Sequence, residues 1–144
     1  MEMRMLDPDL SISPQIQVDD LPALQLAGIR AIICNRPDGE GPDPQPSFSQ
    51  IAQEARRLGI EARYLPTIPN DVTDELGAAF GHLMDALPKP VLGYCRTGRR
   101  SATMWALSQA GRQSPTAILE TTAKAGHDLA ALTLRLDSPP HRKT

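Results

Sequence analysis

The sequence is poor in cysteine: only Cys34 and Cys95 occur in its 144 residues. Two cysteines are too few for a disulfide framework or a multi-cysteine metal site, and they suit a reducing compartment in which a reactive thiolate survives. The chain also lacks an apolar run of membrane-spanning length, and its first residues lack the apolar core of a secretory signal. We therefore expect a soluble, cytoplasmic protein with no membrane partner.

An excess of charge of either sign is missing as well, since 15 basic residues face 17 acidic ones and the formal net charge is -2. Basic residues cluster only next to Cys95, which argues against a general nucleic-acid-binding protein. There is no internal repeat, and the length fits one domain with a sizeable core. We place that domain at residues 1–137 and expect a polar, proline-containing and flexible tail at residues 138–144.

The stretch around Cys95 carries the clearest chemical signal. The apolar run 91–94 is short enough for a buried strand, and after Cys95 the chain crosses an arginine-rich turn and enters a helix-like segment at 101–110. The thiol is therefore expected in a loop at a helix N-terminus, where free backbone N–H groups and the helix dipole stabilise anions. Neighbouring arginines favour a reactive thiolate. A buried, inert cysteine at the end of a core strand is the alternative.

The motif at residues 95–101, Cys-Arg-Thr-Gly-Arg-Arg-Ser, resembles the active-site loop of rhodaneses. It also resembles the phosphate-binding loop of protein tyrosine phosphatases, shortened by one residue. The phosphatase pattern is Cys-x5-Arg followed by Ser or Thr, whereas Arg100 gives Cys-x4-Arg here, and a phosphatase register would place Ser101 where the bidentate arginine belongs. The shorter loop should enclose a smaller volume, which favours a persulfide sulfur over a phosphoryl group.

Two further segments, 10–16 and 33–40, carry the resemblance over nearly the whole chain, from about residue 1 to residue 136. They are similar to the DUF442 family of small bacterial proteins and domains, also called the beta-lactamase-hydrolase-like phosphatase-like domain. The resemblance implies a tyrosine-phosphatase-like fold that carries a rhodanese-like loop. It also implies relatives that occur alone or fused to a metallo-beta-lactamase-type persulfide dioxygenase, which makes such a dioxygenase a candidate partner.

On this basis we assign Cys95 and Arg100 to catalysis. The other residues of the loop are assigned to substrate binding: Arg96, Thr97, Gly98, Arg99 and Ser101. Gly98 adopts a positive φ cheaply and lets the backbone close round a small ligand. No histidine has a motif neighbour or a second ligand at metal spacing, so we expect activation by arginine and helix, with neither metal nor cofactor.

Residues 35–46 contain four prolines and form a long loop that is a candidate for function. If the strand before it lies beside strand 91–94, the carboxyl ends of both strands open onto one crevice. Arg36 would then add charge to an anion site, and Asp38 would orient an arginine of the catalytic loop. Ordinary turn chemistry is the alternative for both residues. Cys34 fits a core strand position, and a resolving thiol for Cys95 is the other hypothesis.

A general acid is needed only if the reaction is phosphoryl transfer. Tyrosine-phosphatase-like folds take this acid from a loop upstream of the cysteine, and Asp71 and Asp74 lie in such a segment. Asp74 fits the first turn of a helix that begins near Thr73, so Asp71 is the candidate acid.

Strands and helices alternate through most of the chain. This pattern predicts an α/β fold with three layers, a mostly parallel central sheet flanked by helices, of the protein-tyrosine-phosphatase-like type. Short strands are expected within 3–12, and further strands at 29–34, 60–65 and 91–94. Helices are expected at 19–28, 47–58, 73–87, 101–110, 114–126 and 128–136.

The expected activity is that of a rhodanese-like sulfurtransferase. Cys95 would take the sulfane sulfur of thiosulfate or of a persulfide, and a thiol acceptor such as glutathione would then remove it. The alternative is hydrolysis of phosphate monoesters through a Cys95 phosphocysteine, with Asp71 protonating the leaving oxygen. A third hypothesis is a non-catalytic persulfide carrier or anion-binding module that docks to a partner dioxygenase.

Overall fold

A computed structural model describes residues 2–137, and the tail predicted at 138–144 lies outside the described residues. The strands are β1 (Arg4–Asp7), β2 (Leu10–Ser13), β3 (Ala31–Cys34), β4 (Glu61–Tyr64) and β5 (Val91–Tyr94). The α-helices are α1 (Leu21–Leu26), α2 (Phe48–Arg57), α3 (Asp74–Ala86), α4 (Arg99–Ser108), α5 (Pro115–Lys124) and α6 (Thr133–Asp137). The predicted alternation of strands and helices is confirmed.

The strands form one sheet in the order β1-β2-β5-β3-β4. Only β1 and β2 are antiparallel, and the other neighbouring strands run parallel. Strand β5 lies in the middle, with Tyr94 opposite Ser13 of β2 and opposite Cys34 of β3. The strand that leads to Cys95 is therefore hydrogen-bonded on both edges.

Successive residues of the central strands are buried on opposite faces of the sheet. In β3, Ala31 and Ile33 belong to the core formed with α3, α4, α5 and α6, whereas Ile32 and Cys34 belong to the core formed with α1 and α2. Side chains of a strand alternate between the two faces, so a strand covered on both sides is apolar throughout. This arrangement gives the three layers that the sequence predicts.

Helix α4 begins at Arg99, two residues earlier than predicted. Gly98 precedes it with φ 96°, a left-handed conformation that glycine adopts without steric cost. The backbone can therefore turn from the strand end directly into the helix. As a result, Arg99 and Arg100 belong to the first helical turn.

Helices α3 and α4 lie in close contact at Gly77, where a Cβ atom would lie 2.5 Å from Cβ of Leu107. We expect Gly77→Ala to lower the free energy of unfolding by about 1–3 kcal/mol, because α3 must move away from the helix that carries Arg100. The matched control is Gly81→Ala in the same helix, where the nearest atom to a new Cβ is 3.4 Å away. That variant should be neutral or stabilised by up to about 1 kcal/mol. Urea unfolding of both variants checks this, and an equal loss in both would contradict it.

Candidate active site

The site lies where the carboxyl ends of β3 and β5 meet. The chain continues from β3 into Asn35 and from β5 into Cys95, and Asn35 N donates a hydrogen bond to Tyr94 O at 2.8 Å. The Asn35 side chain donates to Leu65 O at 2.8 Å and accepts from Ser101 Oγ at 2.8 Å. Asn35 thereby links β3, the end of β4 and helix α4, and it confirms that the two predicted strand ends share one crevice.

The thiol of Cys95 lies inside the loop and is fully buried. Its Sγ accepts a hydrogen bond from Gly98 N at 3.1 Å. This N–H belongs to the residue that caps α4, so the sulfur lies at the positive end of the helix, an arrangement that stabilises a thiolate or a bound anion. The predicted position of Cys95 in a loop at a helix N-terminus is confirmed.

A side chain at Gly98 would crowd its neighbours and would be strained by the positive φ. A Cβ atom at this position would lie 3.3 Å from Nε2 of His127 and 3.4 Å from Ser13 O. Burial lowers the pKa of His127, as do the nearby positive charges of Arg99 and Arg4. No role is predicted for His127 from sequence, and the structure places it against the outside of the catalytic loop.

Arg100 is buried and held by a carboxylate that is not predicted from the sequence. Its Nη1 and Nη2 donate to Oε2 and Oε1 of Glu40 at 2.7 and 2.8 Å, and Nη1 also donates to Thr67 O at 2.8 Å. The hydrogen bonds from Arg100, and then those from Arg36, lower the pKa of Glu40. Glu40 is therefore ionised and fixes the plane of the Arg100 guanidinium.

Arg36 was expected to add charge to the anion site, but the structure places it in a buried ion-pair network. Its side chain is fully buried, and its guanidinium donates to Glu40 Oε1 at 3.0 Å, to Asp43 at 2.9 and 3.2 Å, and to Gln15 Oε1 at 3.1 Å. A buried guanidinium needs such partners because its desolvation is costly. Arg36 thus orders the loop after β3 and positions Glu40.

Asp38 does not orient an arginine of the catalytic loop, contrary to the expectation. Its Oδ1 accepts a hydrogen bond from Phe48 N at 2.8 Å, at the start of α2, and its own N–H donates to the Tyr64 hydroxyl at 2.9 Å. A carboxylate at a helix N-terminus is stabilised by the free N–H groups there. Asp38 therefore stabilises α2, and it is Glu40 that orients Arg100.

Cys34 lies in the strand next to Cys95. Burial raises the pKa of its thiol, and Sγ donates to Arg36 O at 3.3 Å. Its side chain belongs to the core on the α1 and α2 face, beside the buried Tyr94 hydroxyl, whose pKa burial also raises. These contacts fit the core position, and a resolving role for Cys34 stays a prediction.

A pocket of about 430 Å³ opens beside the loop. Its lining includes four of the predicted residues, Arg96, Thr97, Arg99 and Arg100. Ser101 lies beneath the loop with its hydroxyl on Asn35, and Gly98 lines a smaller cavity on the other side of the turn. The substrate-binding assignment of these residues stays a prediction, with Arg96, Thr97 and Arg99 in position to contact a ligand.

The rest of the pocket wall was not predicted. Pro69, Asn70 and Val72 line one side, and Leu129, Ala131, Leu132 and Arg135 line another. Asp71 is exposed and does not belong to the lining, although both of its neighbours do, and its carbonyl accepts a hydrogen bond from Thr67 Oγ1 at 3.1 Å. Its assignment as general acid is therefore a prediction that requires the side chain to turn inward.

Within residues 2–137 no cluster of three or more potential metal ligands occurs, and no helix is both long and apolar enough to cross a bilayer.

A mostly parallel sheet between helical layers, with a cysteine after its central strand and an arginine in the first turn of the next helix, defines a tyrosine-phosphatase-like α/β domain. Residues 2–112 match the family described as "Beta-lactamase hydrolase-like protein, phosphatase-like domain". The chain belongs to this family, as the resemblance at residues 10–16, 33–40 and 95–101 predicted.

Relatives of known sequence support the assignment. A beta-lactamase hydrolase-like protein of Agrobacterium fabrum is 32% identical over 140 residues, which cover 93% of this chain and 32% of that protein. A protein of the same description from Xylella fastidiosa strain 9a5c is 34% identical over 109 residues, which cover 74% of this chain and 25% of that protein. The chain thus spans about a third or less of the length of these relatives.

Solved structures agree with the fold. The nma1982 protein of Neisseria meningitidis, described as a candidate phosphatase, superposes with a TM-score of 0.84 and 34% identity, covering 96% of this chain and 98% of that one. A complex of PTPMT1 with PI(5)P superposes with a TM-score of 0.72 and 21% identity, covering 97% of each chain. The second likeness concerns the fold alone, and together they confirm the protein-tyrosine-phosphatase-like architecture.

Proposed function

We propose that this domain is a cysteine-dependent phosphatase that hydrolyses phosphate monoesters, with Cys95 as the nucleophile. The observation that carries this proposal is the mainly apolar pocket of about 430 Å³ that adjoins the Cys95 loop. A pocket of this size accommodates an organic group attached to the reacting anion, whereas thiosulfate would occupy only a small part of it. The primary expectation of sulfur transfer is not confirmed, and the phosphatase alternative accounts better for this pocket.

Arg100 is oriented for oxyanion binding. Glu40 occupies one N–H of each terminal nitrogen, and Thr67 O takes the second N–H of Nη1. Nε–H and the remaining Nη2–H therefore have no partner among residues 2–137. These two parallel donors form the edge of the guanidinium that pairs with two oxygens of a phosphoryl group.

The proposed reaction has two steps. The Cys95 thiolate attacks phosphorus, the P–S bond forms, and the ester P–O bond breaks with its electron pair on the leaving oxygen, which takes a proton from Asp71 or from water. Water then attacks phosphorus and gives its proton back to Asp71 or to solvent. The P–S bond breaks, inorganic phosphate leaves, and the thiolate is restored. Gly98 N–H and Arg100 stabilise the negative charge in both steps.

The described relatives support the proposal in general terms. The nma1982 protein is described as a candidate phosphatase, and a second protein with this fold, Pseudomonas aeruginosa TpbA, has been solved in complex with phosphotyrosine as a cysteine-to-serine variant. TpbA shares only 18% identity with this chain, so it supports the compatibility of the fold with phosphate esters and not a particular substrate.

Sulfur transfer remains the second candidate, because the loop has the shorter Cys-x4-Arg spacing and Asp71 lies outside the pocket lining. In that reaction the Cys95 thiolate attacks the outer sulfur of thiosulfate, the S–S bond breaks, and sulfite leaves with the electron pair. A thiolate such as that of glutathione then attacks the outer sulfur of the Cys95 persulfide, and the Cys95 thiolate is restored. If this domain is a sulfur carrier, the partner that we propose is a persulfide dioxygenase, which would receive the sulfur from Cys95.

The two activities are separated by parallel steady-state assays of the same preparation. One assay measures inorganic phosphate released from phenyl phosphate, and the other measures sulfite released from thiosulfate in the presence of glutathione. We expect saturable phosphate release that exceeds sulfite release in kcat/KM. Sulfite release without phosphate release would refute the phosphatase proposal in favour of sulfur transfer.

The Asp71→Asn variant distinguishes phosphoryl transfer from sulfur transfer by whether the leaving group needs a proton. If Asp71 turns inward as the acid, kcat for phenyl phosphate should fall about 10²-fold, because the phenolate leaves without a proton. Sulfite release should be unchanged, since sulfite needs no proton to leave. The control is Asp85→Asn, an exchange of the same kind in α3, outside the residues that line the pocket. Equal kcat in wild type and Asp71→Asn would show that solvent supplies the proton.

A further inference from the structure

The pocket that adjoins the loop after Cys95 contains more positive charge than one phosphoryl group requires. Four of its lining residues are arginines, namely Arg96, Arg99, Arg100 and Arg135, and no carboxylate from residues 2–137 lines it. Arg100 is paired with Glu40, and Arg135 donates to Asp74 Oδ1 at 2.8 Å and to Val72 O at 2.9 Å. Arg96 and Arg99 make no ion pair with any carboxylate within residues 2–137. Besides Arg36, Arg96 nevertheless helps to lower the pKa of Asp43, so Arg99 is the exposed guanidinium that is best placed to bind an anion.

Arg99 occupies a suitable position for a second anion. It is exposed on the first turn of α4, next to Arg100, and both arginines line the same pocket. Its backbone N–H is engaged by Thr97 Oγ1 at 3.3 Å, whereas its guanidinium has no hydrogen-bond acceptor within the described part of the chain. The positive end of the helix adds to its attraction for negative charge.

The part of the pocket wall at Leu129 and Leu132 is apolar and held in place. Leu129 is buried in the main core, and Leu132 packs against that core while lining the pocket. Arg135 joins this segment to the start of α3 through Asp74 and Val72. The wall is therefore formed before a ligand binds, and it suits an apolar or aromatic group rather than a hydrated one.

From this juxtaposition we infer the substrate class: a phosphate monoester whose organic part is apolar next to the phosphate and carries a second anionic group. The reacting phosphate would bind the Cys95 loop, the apolar part would contact Leu132 and Leu129, and the second anion would pair with Arg99. This inference rests on the proposed phosphatase function for the reaction, but the binding it describes does not depend on turnover.

Two para-substituted phenyl phosphates of similar leaving-group acidity test it kinetically. They are para-ethylphenyl phosphate, which is neutral beyond its phosphate, and para-(carboxymethyl)phenyl phosphate, which carries a second anion. Wild type should prefer the carboxylate substrate by about fivefold in kcat/KM at low salt, the scale of an exposed ion pair. Arg99→Gln should reduce this preference to about unity, and Arg56→Gln, an exchange of the same charge on α2, should retain it.

Leu132→Ser tests the apolar wall in the same assays. It should raise KM for both aryl phosphates by about threefold or more, because an apolar contact with the ring is lost, and it should leave the preference between them intact. A wild type without preference, or a preference that Arg99→Gln retains, would overturn the inference.

Binding of non-hydrolysable analogues separates this inference from the proposed function. Calorimetry with para-ethylbenzylphosphonate and para-(carboxymethyl)benzylphosphonate should show the same Arg99-dependent preference in wild type. If neither phenyl phosphate is hydrolysed but the phosphonate preference is present, the proposed function fails and the inference on ligand class stands. If phosphate is released but both phosphonates bind equally well, the inference fails and the proposed function stands.

Discussion

Replacement of Cys95 by serine is expected to abolish phosphate release, with a loss of at least about 10³-fold in kcat, because a hydroxyl at this position has no base to activate it. The substitution removes the nucleophile but leaves the Gly98 N–H and the Arg100 and Glu40 pair in place. Ligand binding should therefore survive, and calorimetry with a benzylphosphonate checks that the site is still formed.

Intact-mass spectrometry identifies the group that wild-type Cys95 receives. A brief incubation with phenyl phosphate followed by acid quenching should add about 80 Da, one phosphoryl group, to wild type and not to Cys95→Ser. Incubation with thiosulfate would instead add about 32 Da, one sulfur atom that thiols remove, if sulfur transfer is the activity.

Cys34→Ser is the matched control, since it makes the same exchange at the other cysteine, in the core on the α1 and α2 face. It should retain both the adduct and the turnover. An adduct that persists in Cys95→Ser but disappears in Cys34→Ser would refute the assignment of the nucleophile.

Replacement of Glu40 by glutamine is expected to impair both stability and activity. Glu40 accepts hydrogen bonds from Arg100 and Arg36, and both guanidiniums are buried. The neutral amide leaves Arg100 without a counter-charge and leaves Arg36 with only Asp43, so the free energy of unfolding should fall by about 3 kcal/mol. Because Arg100 also loses its fixed orientation, kcat/KM for phenyl phosphate should fall about 10²-fold. Chemical unfolding at neutral pH and phosphate release measure the two effects.

The same variant has a characteristic pH dependence. The pKa of Glu40 lies below its ordinary value of 4.5 in the folded protein, chiefly because of the hydrogen bonds from Arg100. The stability that ionised Glu40 contributes to the folded protein is therefore complete above pH 4.5. It is lost as the pH falls through the lowered pKa of Glu40. Arg36 lowers the pKa of Asp43 as well, so Asp43 also contributes stability that is lost at low pH. This contribution is still present in Glu40→Gln. Wild-type stability should thus fall more steeply below pH 4.5 than that of Glu40→Gln.

Glu61→Gln provides the control for charge removal. Glu61 pairs with Arg63 at 3.0 Å, but both side chains are about half exposed, and such pairs contribute roughly 0.5 kcal/mol. Similar losses of stability in Glu61→Gln and Glu40→Gln would show that Glu40 is not the support of two buried arginines.

The fold was predictable because its determinants are local. Apolar runs such as 91–94 alternate with helical segments that have clear starts, and Ser47, Thr73 and Ser114 do accept hydrogen bonds from backbone N–H groups as N-caps. The position of Cys95 was predictable for the same reason, since a strand, a short turn with Gly98 and a helix follow one another directly in the sequence.

The partners of the arginines were not predictable, because they depend on contacts between distant segments. Glu40 is 60 residues before Arg100, and both Asp38 and Glu40 lie in the same loop, so the sequence offered no basis for choosing between them. Only the path of the loop, set by Arg36 with Asp43 and Gln15, brings Glu40 to the site. The apolar wall at 129–132 was missed because its residues look like any helical core segment.

The central position of β5 links the site to the cooperativity of the whole domain. Because β5 is hydrogen-bonded to β2 and β3 and buried on both faces, it cannot separate from the sheet without the loss of both cores. Amide hydrogens in Val91–Tyr94 should therefore exchange only through global unfolding. A destabilising substitution far from the loop would then reduce the fraction of molecules that are active, while each folded molecule would keep its full rate.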